Sequence, residues 1–314
     1  MTYIGVDIGG TKCAVTLGEG KDIRKKIRFA TGEADATVRR LCEAVTEMGA
    51  ADAVGISCGG PLDEVRGRIL SPPNLPGFDD VPITDILSRA ARCPAYLLND
   101  ANACALAETR YGAGCGAQNT VFLTCGTGFG GGIVLNGRLV RGANGNAGEI
   151  GHVRLSPRGP VGYGKHGSAE GFCSGGGIRR LALSRLRTEL AAGRTTPYCR
   201  GEEDFPAVNA ALLAEYARQG EPVARGVYDT CAARLGQTVA LLVDILNPEV
   251  IIIGSIFVRA EDLLRPGMER VLVREALPAS RAVCRVVPAA LGESLGDVAA
   301  LTVAEEGAAL FART

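Results

Sequence analysis

An α/β fold built from two related halves is what this sequence predicts, and three observations carry it. Short apolar runs rich in β-branched residues alternate with Ala- and Leu-rich helical segments along the whole chain. One strand–turn–strand pattern occurs twice, as Val6-Asp7-Ile8-Gly9-Gly10-Thr11-Lys12 and as Leu123-Thr124-Cys125-Gly126-Thr127-Gly128-Phe129-Gly130. Each copy opens one half, and a glycine-rich joint, Gly112-Ala113-Gly114-Cys115-Gly116, stands between them. The 314 residues fit two domains at about 150 residues each. We place these at 1–111 and 112–314, with a last helix near 296–310 as a candidate to pack back on the N-terminal half.

In the first half, Tyr3 to Asp7 reads as a strand, broken by Gly9-Gly10 and resumed from Lys12 to Leu17, with another over Ile23 to Phe29. Thr37 to Met48 puts Val38, Leu41, Cys42 and Val45 on one helical face. Val54 to Ser57 is a buried strand ending in Gly59-Gly60-Pro61. Helix is expected over Ile83 to Ala91, strand over Ala95 to Leu98, and helix over Ala101 to Tyr111.

The second half restarts with a strand over Thr120 to Thr124, a glycine turn over Gly126 to Gly132, and a strand over Ile133 to Leu135. Asn136-Gly137 is a two-residue hairpin signal leading into Arg138 to Val140. Gly142 to Gly177 reads as a long glycine-rich loop region, a length associated with function or disorder. Helices are expected near Ile178 to Ala192, Ala207 to Gln219, Val223 to Leu246 and Glu261 to Arg274. Strands are expected at Val250 to Ile253 and Cys284 to Val287.

Composition excludes several function classes. Lys+Arg and Asp+Glu balance at 34 each, so there is no basic surplus for nucleic acid. Trp is absent and aromatics are 5%, which leaves few stacking platforms for single strands. The eleven cysteines are odd in number and show no C-x-x-C spacing. They read as free thiols of a reducing cytoplasm, not as a disulfide framework. No secretory leader and no bilayer-spanning run is expected.

The repeated Gly/Thr turns point to phosphate. Successive backbone N–H groups form a concave anion site, glycine permits close approach, and a Thr hydroxyl adds a donor. Two other glycine patterns fail on context. Gly126-Thr127-Gly128-Phe129-Gly130-Gly131 fits G-x-G-x-x-G but runs into a strand, where a dinucleotide site needs a helix. Gly159 to Lys165 fits G-x-x-x-x-G-K, but His166 stands where Ser or Thr would be needed. Asn99-Asp100 closes a strand and begins a helix. A plain N-cap is its ordinary role. A carboxylate at a strand C-terminus can also accept the proton of an alcohol during phosphoryl transfer. Asp7 is the other strand-end carboxylate, suited to organising water around Mg²⁺. Glu149, His152 and Glu170 in the long loop region suit either a metal or a polar sugar pocket. With two histidines in the chain and only Cys173 near, hydrogen bonding to hydroxyls is the better reading.

These motifs, in this order, resemble the ROK family of sugar kinases and sugar-responsive repressors. Asp7 to Lys12 resembles its first phosphate motif, and Leu123 to Gly132 its second. Gly59-Gly60-Pro61-Leu62-Asp63 and Pro73-Asn74-Leu75-Pro76-Gly77 resemble its sugar-domain segments. Asn99-Asp100-Ala101-Asn102 resembles its catalytic-base segment, and Gly142 to His152 its signature. The resemblance implies two ribonuclease-H-like domains of the actin/hexokinase type around a central cleft. It implies ATP and Mg²⁺, with Asp100 as general base. Gly60, Asn74, Asn99, Glu149, His152 and Glu170 would bind sugar. Asp7, Gly9, Gly10, Thr11, Lys12, Gly126, Thr127, Gly128 and Gly254 would lie at the nucleotide. A homodimer is expected, with no membrane or nucleic-acid partner.

Two departures stand out. Members carry C-x-C-G-x-x-G-C-x-E after the signature, but here Val161, Tyr163 and Ser168 fall at the cysteine positions. No structural zinc is therefore expected, and packing, with Tyr163 as a plug, is expected to hold the loop. Ile253-Gly254-Ser255 has one glycine where members usually have two. The implied activity is phosphorylation of an aldohexose, glucose foremost, to glucose 6-phosphate. Kinases of N-acetylmannosamine or N-acetylglucosamine are the alternative. A sugar-sensing regulator is disfavoured, since only six residues precede Asp7.

Overall fold

The computed structural model describes residues 1–311, so the last three residues of the 112–314 half lie outside the described residues. The chain begins with the antiparallel strands β1 (Tyr3–Ile8), β2 (Lys12–Glu19) and β3 (Asp22–Ala30), then helix α1 (Ala34–Met48). Strand β4 (Ala53–Cys58) is followed by a ribbon of β5 (Leu62–Asp63) and β6 (Arg68–Ile69). Helix α2 (Ile83–Ala91), strand β7 (Ala95–Asn99) and helix α3 (Asp100–Tyr111) complete this part.

The pattern then repeats with β8 (Thr120–Cys125), β9 (Phe129–Leu135) and β10 (Arg138–Leu139). A short ribbon of β11 (Val161–Gly162) and β12 (Lys165–His166) leads into helices α4 (Ala169–Cys173) and α5 (Gly175–Ala191). Helices α6 (Ala210–Arg218) and α7 (Pro222–Leu246) precede β13 (Val250–Ile253). Then come α8 (Ile256–Arg259), α9 (Glu261–Glu275), α10 (Pro278–Val283), β14 (Arg285–Pro288) and α11 (Leu295–Phe311).

Two five-stranded sheets share one topology. Their orders are β3-β2-β1-β4-β7 and β10-β9-β8-β13-β14. In each, a meander of three strands is extended beside its first strand by two parallel ones. The described chain divides into two compact units. One holds Met1–Gln118, Gly132–Ala147 and the chain from Ala290; the other holds Asn119–Gly131 and Gly148–Ala289. Strand β9 starts in the second unit and ends in the first. Among the described residues no helix is long and apolar enough to cross a membrane.

Most elements fall where the sequence places them, and the exceptions have local causes. The glycine turn ends at Gly128, because Gly131 and Gly132 belong to β9. They are glycines for closeness: a Cβ at Gly132 would meet Ala101 O and the Ala105 Cβ at 2.6 Å. The 142–177 stretch is not all loop, since it contains a 3-10 turn (Ile150–His152), the β11–β12 ribbon, α4 and the start of α5. Asn136 and Gly137 both take positive φ, 52° and 69°, as a two-residue hairpin of the primed kind requires.

In the first unit the core lies between one sheet face and α1 and α2, with Ile4, Val6, Ile56, Leu41, Val45 and Leu87 fully buried. The opposite face receives α11, whose Val298 to Ala304 are almost wholly buried. That helix lies unusually close because β1 and β4 offer glycine beneath it. A Cβ at Gly55 would stand 2.1 Å from Ala300 O and 2.2 Å from Ala304 N. Both are backbone atoms, so no side chain can swing aside. We therefore expect Gly55→Ala to destabilise the protein by about 3 kcal/mol or more. Urea unfolding measures it, and a parent-like midpoint would refute this account of the packing.

Candidate active site

In the first unit, parallel register brings three strand ends level: Ile8 pairs with Cys58, and Cys58 with Asn99. The chemistry-bearing residues cluster there because each strand is followed at once by a turn or a helix. After β1, Gly9, Gly10 and Thr11 make a three-residue turn, closed by the Gly9 N–H to the Lys12 carbonyl at 3.1 Å. The Thr31 hydroxyl ties down the Gly9 carbonyl at 2.6 Å. Gly10, Thr11 and Lys12 are exposed at the tip. A Cβ at Gly10 would sit 2.6 Å from the Asn74 carbonyl oxygen, so the absence of a side chain lets the turn meet the Asn74 segment.

After β4, Gly59 and Gly60 pass the start of α3. Positions built for their Cβ atoms lie 3.8 Å from Asp100 Oδ2 and 3.5 Å from Asn99 Nδ2. Asn99 caps α3, its Oδ1 accepting the Ala101 N–H at 3.0 Å. Asp100 Oδ1 accepts the same N–H at 2.8 Å. Asp100 is open to solvent. The surrounding protein nevertheless removes enough water to raise its carboxyl above the usual range, while the N–H groups of Ala101 and of Asp100 itself favour the anion.

Asp7 carries the larger perturbation. Burial, then Asp100, then Asp297 push it from 3.8 to about 6, against the pull of Lys12 and Lys26. Asp297 is buried and paired with Lys26. The first turn of α11 reaches this place, since a Cβ at Gly296 would stand 2.7 Å from Asp7 Oδ2. A hard oxygen donor crowded by two further carboxylates fits a hydrated divalent cation.

In the second unit, Gly126, Thr127 and Gly128 form the turn after β8, with Thr127 exposed. The Gly126 carbonyl accepts the Gly175 N–H at 2.8 Å, which fixes the turn to the start of α5. Gly254 follows β13, its N–H bonded to the Leu123 carbonyl at 2.9 Å. Ser255 beside it adopts φ 56° and stands against Gly126. Glu170 lies on α4, and its Oε2 accepts the Phe129 N–H at 3.3 Å and approaches Gly128. Gly151 presses on Phe129, where its Cβ would be 1.8 Å from the carbonyl oxygen. This closeness brings the Glu149–His152 segment to the same end of β9 as Glu170.

The loop before α4 is knit by protein groups. Val161 pairs with His166 in the ribbon. Ser168 is fully buried, accepts the Gly171 N–H at 3.1 Å and donates to the Gly162 carbonyl at 3.4 Å. Tyr163 does not plug this loop. It sits at the ribbon tip with φ 42° and is 70% exposed, meeting only the edge of the His152 ring at 6.3 Å between centroids. Lys165 Nζ donates to the His152 carbonyl at 2.8 Å. Among the described residues no group of three or more His, Cys, Asp or Glu side chains is placed to hold a metal ion.

Sequence reasoning missed Asp297 and Glu64. Asp297 sits in a helix that the sequence offers only as a candidate to pack back on the N-terminal half. Glu64 lies in a loop with no spacing signal, yet its Oε1 accepts the Asn99 N–H.

Comparison with known proteins agrees with this architecture. A model described as ROK family matches residues 3–306. A glucokinase of Thermotoga maritima is 34% identical, covering 98% of each chain. A crystal structure of a ROK hexokinase from Thermus thermophilus superposes with a TM-score of 0.81 at 31% identity, over 98% of this chain and 99% of that one. A ROK family glucokinase from Streptomyces griseus, solved in complex with glucose and AMPPNP, does so with 0.79 at 32% identity, over 98% and 100%. Strand ends, glycine turns and near full-length similarity converge: the chain belongs to the ROK family, with its actin/hexokinase-like fold.

Proposed function

We propose that this chain transfers the γ-phosphoryl group of ATP to the 6-hydroxyl of glucose, with Asp100 as the general base. The observation that carries the reading is the position of Asp100, open to solvent at the first residue of α3, level with the ends of β1 and β4. Similarity to glucokinases over nearly the whole chain supports the reaction class and the sugar.

Each group has a task in this reading. Asp100 accepts the proton of the attacking hydroxyl, and its raised pKa moves it toward the working pH. A weak base suffices because bond breaking to the leaving group runs ahead of bond making. Gly60, Asn74, Asn99, Glu149, His152 and Glu170 orient sugar hydroxyls. The turn residues Gly9, Gly10, Thr11 and Lys12, with Gly126, Thr127, Gly128 and Gly254, serve the nucleotide. Asp7 would hold Mg²⁺ through water, where the cation neutralises charge on the phosphate oxygens. We assign the loop before α4 no zinc, on the support of the ribbon and the Ser168 bonds.

The reading includes a cytoplasmic location, supported by cysteines that are all free among the described residues. It includes a homodimer as well. Leu241, Ile245, Val273, Leu277 and Val283 are large, apolar and exposed on neighbouring parts of α7, α9 and α10. Ile245→Lys is expected to shift the sedimentation coefficient toward a monomer; an unchanged value rejects this face as the interface.

The acceptor is tested by ADP release over a panel of hexoses and N-acetylhexosamines, where glucose should give the highest kcat/KM. Asp100→Asn should lose about 10²–10⁴-fold in kcat while ATP binding persists. Near-parent turnover in that variant would remove Asp100 from the role of base, and one zinc per chain by elemental analysis would overturn the loop assignment. Asp7 gives a pH test. Its folded pKa lies above its ordinary value, so the ionised form is disfavoured in the native state. That penalty is absent below about pH 3 and complete above about pH 7. Asp7→Asn should therefore be inactive yet more stable above neutrality, by about 1–2 kcal/mol after allowing for partial exposure. The gain should vanish in acid; a pH-independent difference contradicts the electrostatic account.

A further inference from the structure

Glu64 is a buried carboxylate that the reaction above leaves without a task. It follows β5 directly and its side chain is only 8% exposed. Three groups converge on it. Oε1 accepts the backbone N–H of Asn99 at 3.0 Å. Oε2 faces Arg141 Nη1 at 3.3 Å. The Asn102 side chain hydrogen-bonds to it, and Asn102 Oδ1 is buried without a partner, so the amide NH₂ is the end that donates. Two of these partners, Asn99 and Asn102, bracket Asp100 in the chain.

The topology explains why a side chain is needed there. Strand β7 is the edge of its sheet, so an outward N–H has no neighbouring strand to receive it. A buried N–H without an acceptor is costly. Glu64 supplies the acceptor at the last residue of β7, where the strand hands over to α3. Arg141 balances its charge and holds it in place.

We propose that Glu64, clamped by Arg141, is a positioning residue that sets where the Asp100 carboxylate stands. It acts through the Asn99 N–H and the Asn102 amide, not on the substrate. The inference rests on Asp100 being the base. The same carboxylate lines a cavity of about 480 Å³, together with Tyr96, Leu97, Leu98, Arg141 and Glu306. A small carboxylate ion can therefore reach the place that Glu64 would vacate.

The experiment uses kcat, KM and rescue in the full-length enzyme. Glu64→Ala should lower kcat by about 10–100-fold with KM for ATP unchanged. Glu64→Gln should keep more kcat than Glu64→Ala, because its amide oxygen still accepts the Asn99 N–H although the pair with Arg141 is lost. Added formate should restore part of the kcat of Glu64→Ala, but none of that of Asp100→Asn. A parent-like kcat in Glu64→Ala overturns the inference, as does a loss that neither glutamine nor formate relieves. If the alanine variant fails to fold, Arg141→Gln carries the test: it should lower kcat alone, and an unchanged kcat overturns the proposal. An inactive Asp100→Asn beside a normal Glu64→Ala sinks this inference only. A normal Asp100→Asn sinks the base assignment instead.

Discussion

How closely one helix can lie against one sheet decides the chemistry at the end of that sheet. Gly5 and Gly55 leave the sheet surface bare where α11 crosses it, and backbone meets backbone. A helix seated this deep brings its first turn to the end of β1, with Gly296 against Asp7 and Asp297 buried beside Lys26. The positive end of a helix favours an anion, yet Asp7 is pushed up, not down. Burial together with the charges of Asp100 and Asp297 outweighs both lysines. The folded protein thus holds unfavourable electrostatic energy at the end of β1, as functional sites often do.

The two sheets have the same strand order but different strand ends. In the first, β1 ends at Asp7-Ile8 and β7 at Asn99, followed by Asp100, so the level ends of the sheet carry carboxylates. In the second, β8 ends at Cys125-Gly126, β13 at Ile253-Gly254 and β14 at Pro288-Ala289, with no carboxylate among them. One sheet end is anionic and can take a proton or order a hydrated cation. The other presents backbone and hydroxyl groups, which suit an anion. A repeated topology thus carries different chemistry at its two sets of strand ends.

Much of this was legible because it is local. The Gly/Thr turns, the Asn136-Gly137 hairpin and the Asn99-Asp100 junction each announce themselves within a few residues, and turn chemistry depends on short range. The long helix Pro222–Leu246 was found within one residue by its apolar content. What failed depends on contacts distant in sequence. The glycines of β9 read as turn because nothing nearby reveals that Ala101 and Ala105 crowd Gly132. The β11–β12 ribbon is only two residues per strand, below any periodic signal. Tyr163 looked like a plug because it is large and aromatic. A left-handed backbone at the ribbon tip turns it to solvent instead.

Glu170 shows why the assigned roles are not independent. The carboxylate oxygen Oε2 accepts the Phe129 N–H, the first amide after the Gly126–Gly128 turn. A group assigned to sugar is thus bonded to the segment assigned to phosphate. Oε1 and the outer lone pairs remain for hydroxyl donors, since a carboxylate accepts several hydrogen bonds. On the proposed roles, one side chain thus serves both the turn and the sugar hydroxyls. Gly128 leaves room for this contact, since a Cβ there would lie 3.2 Å from Oε2.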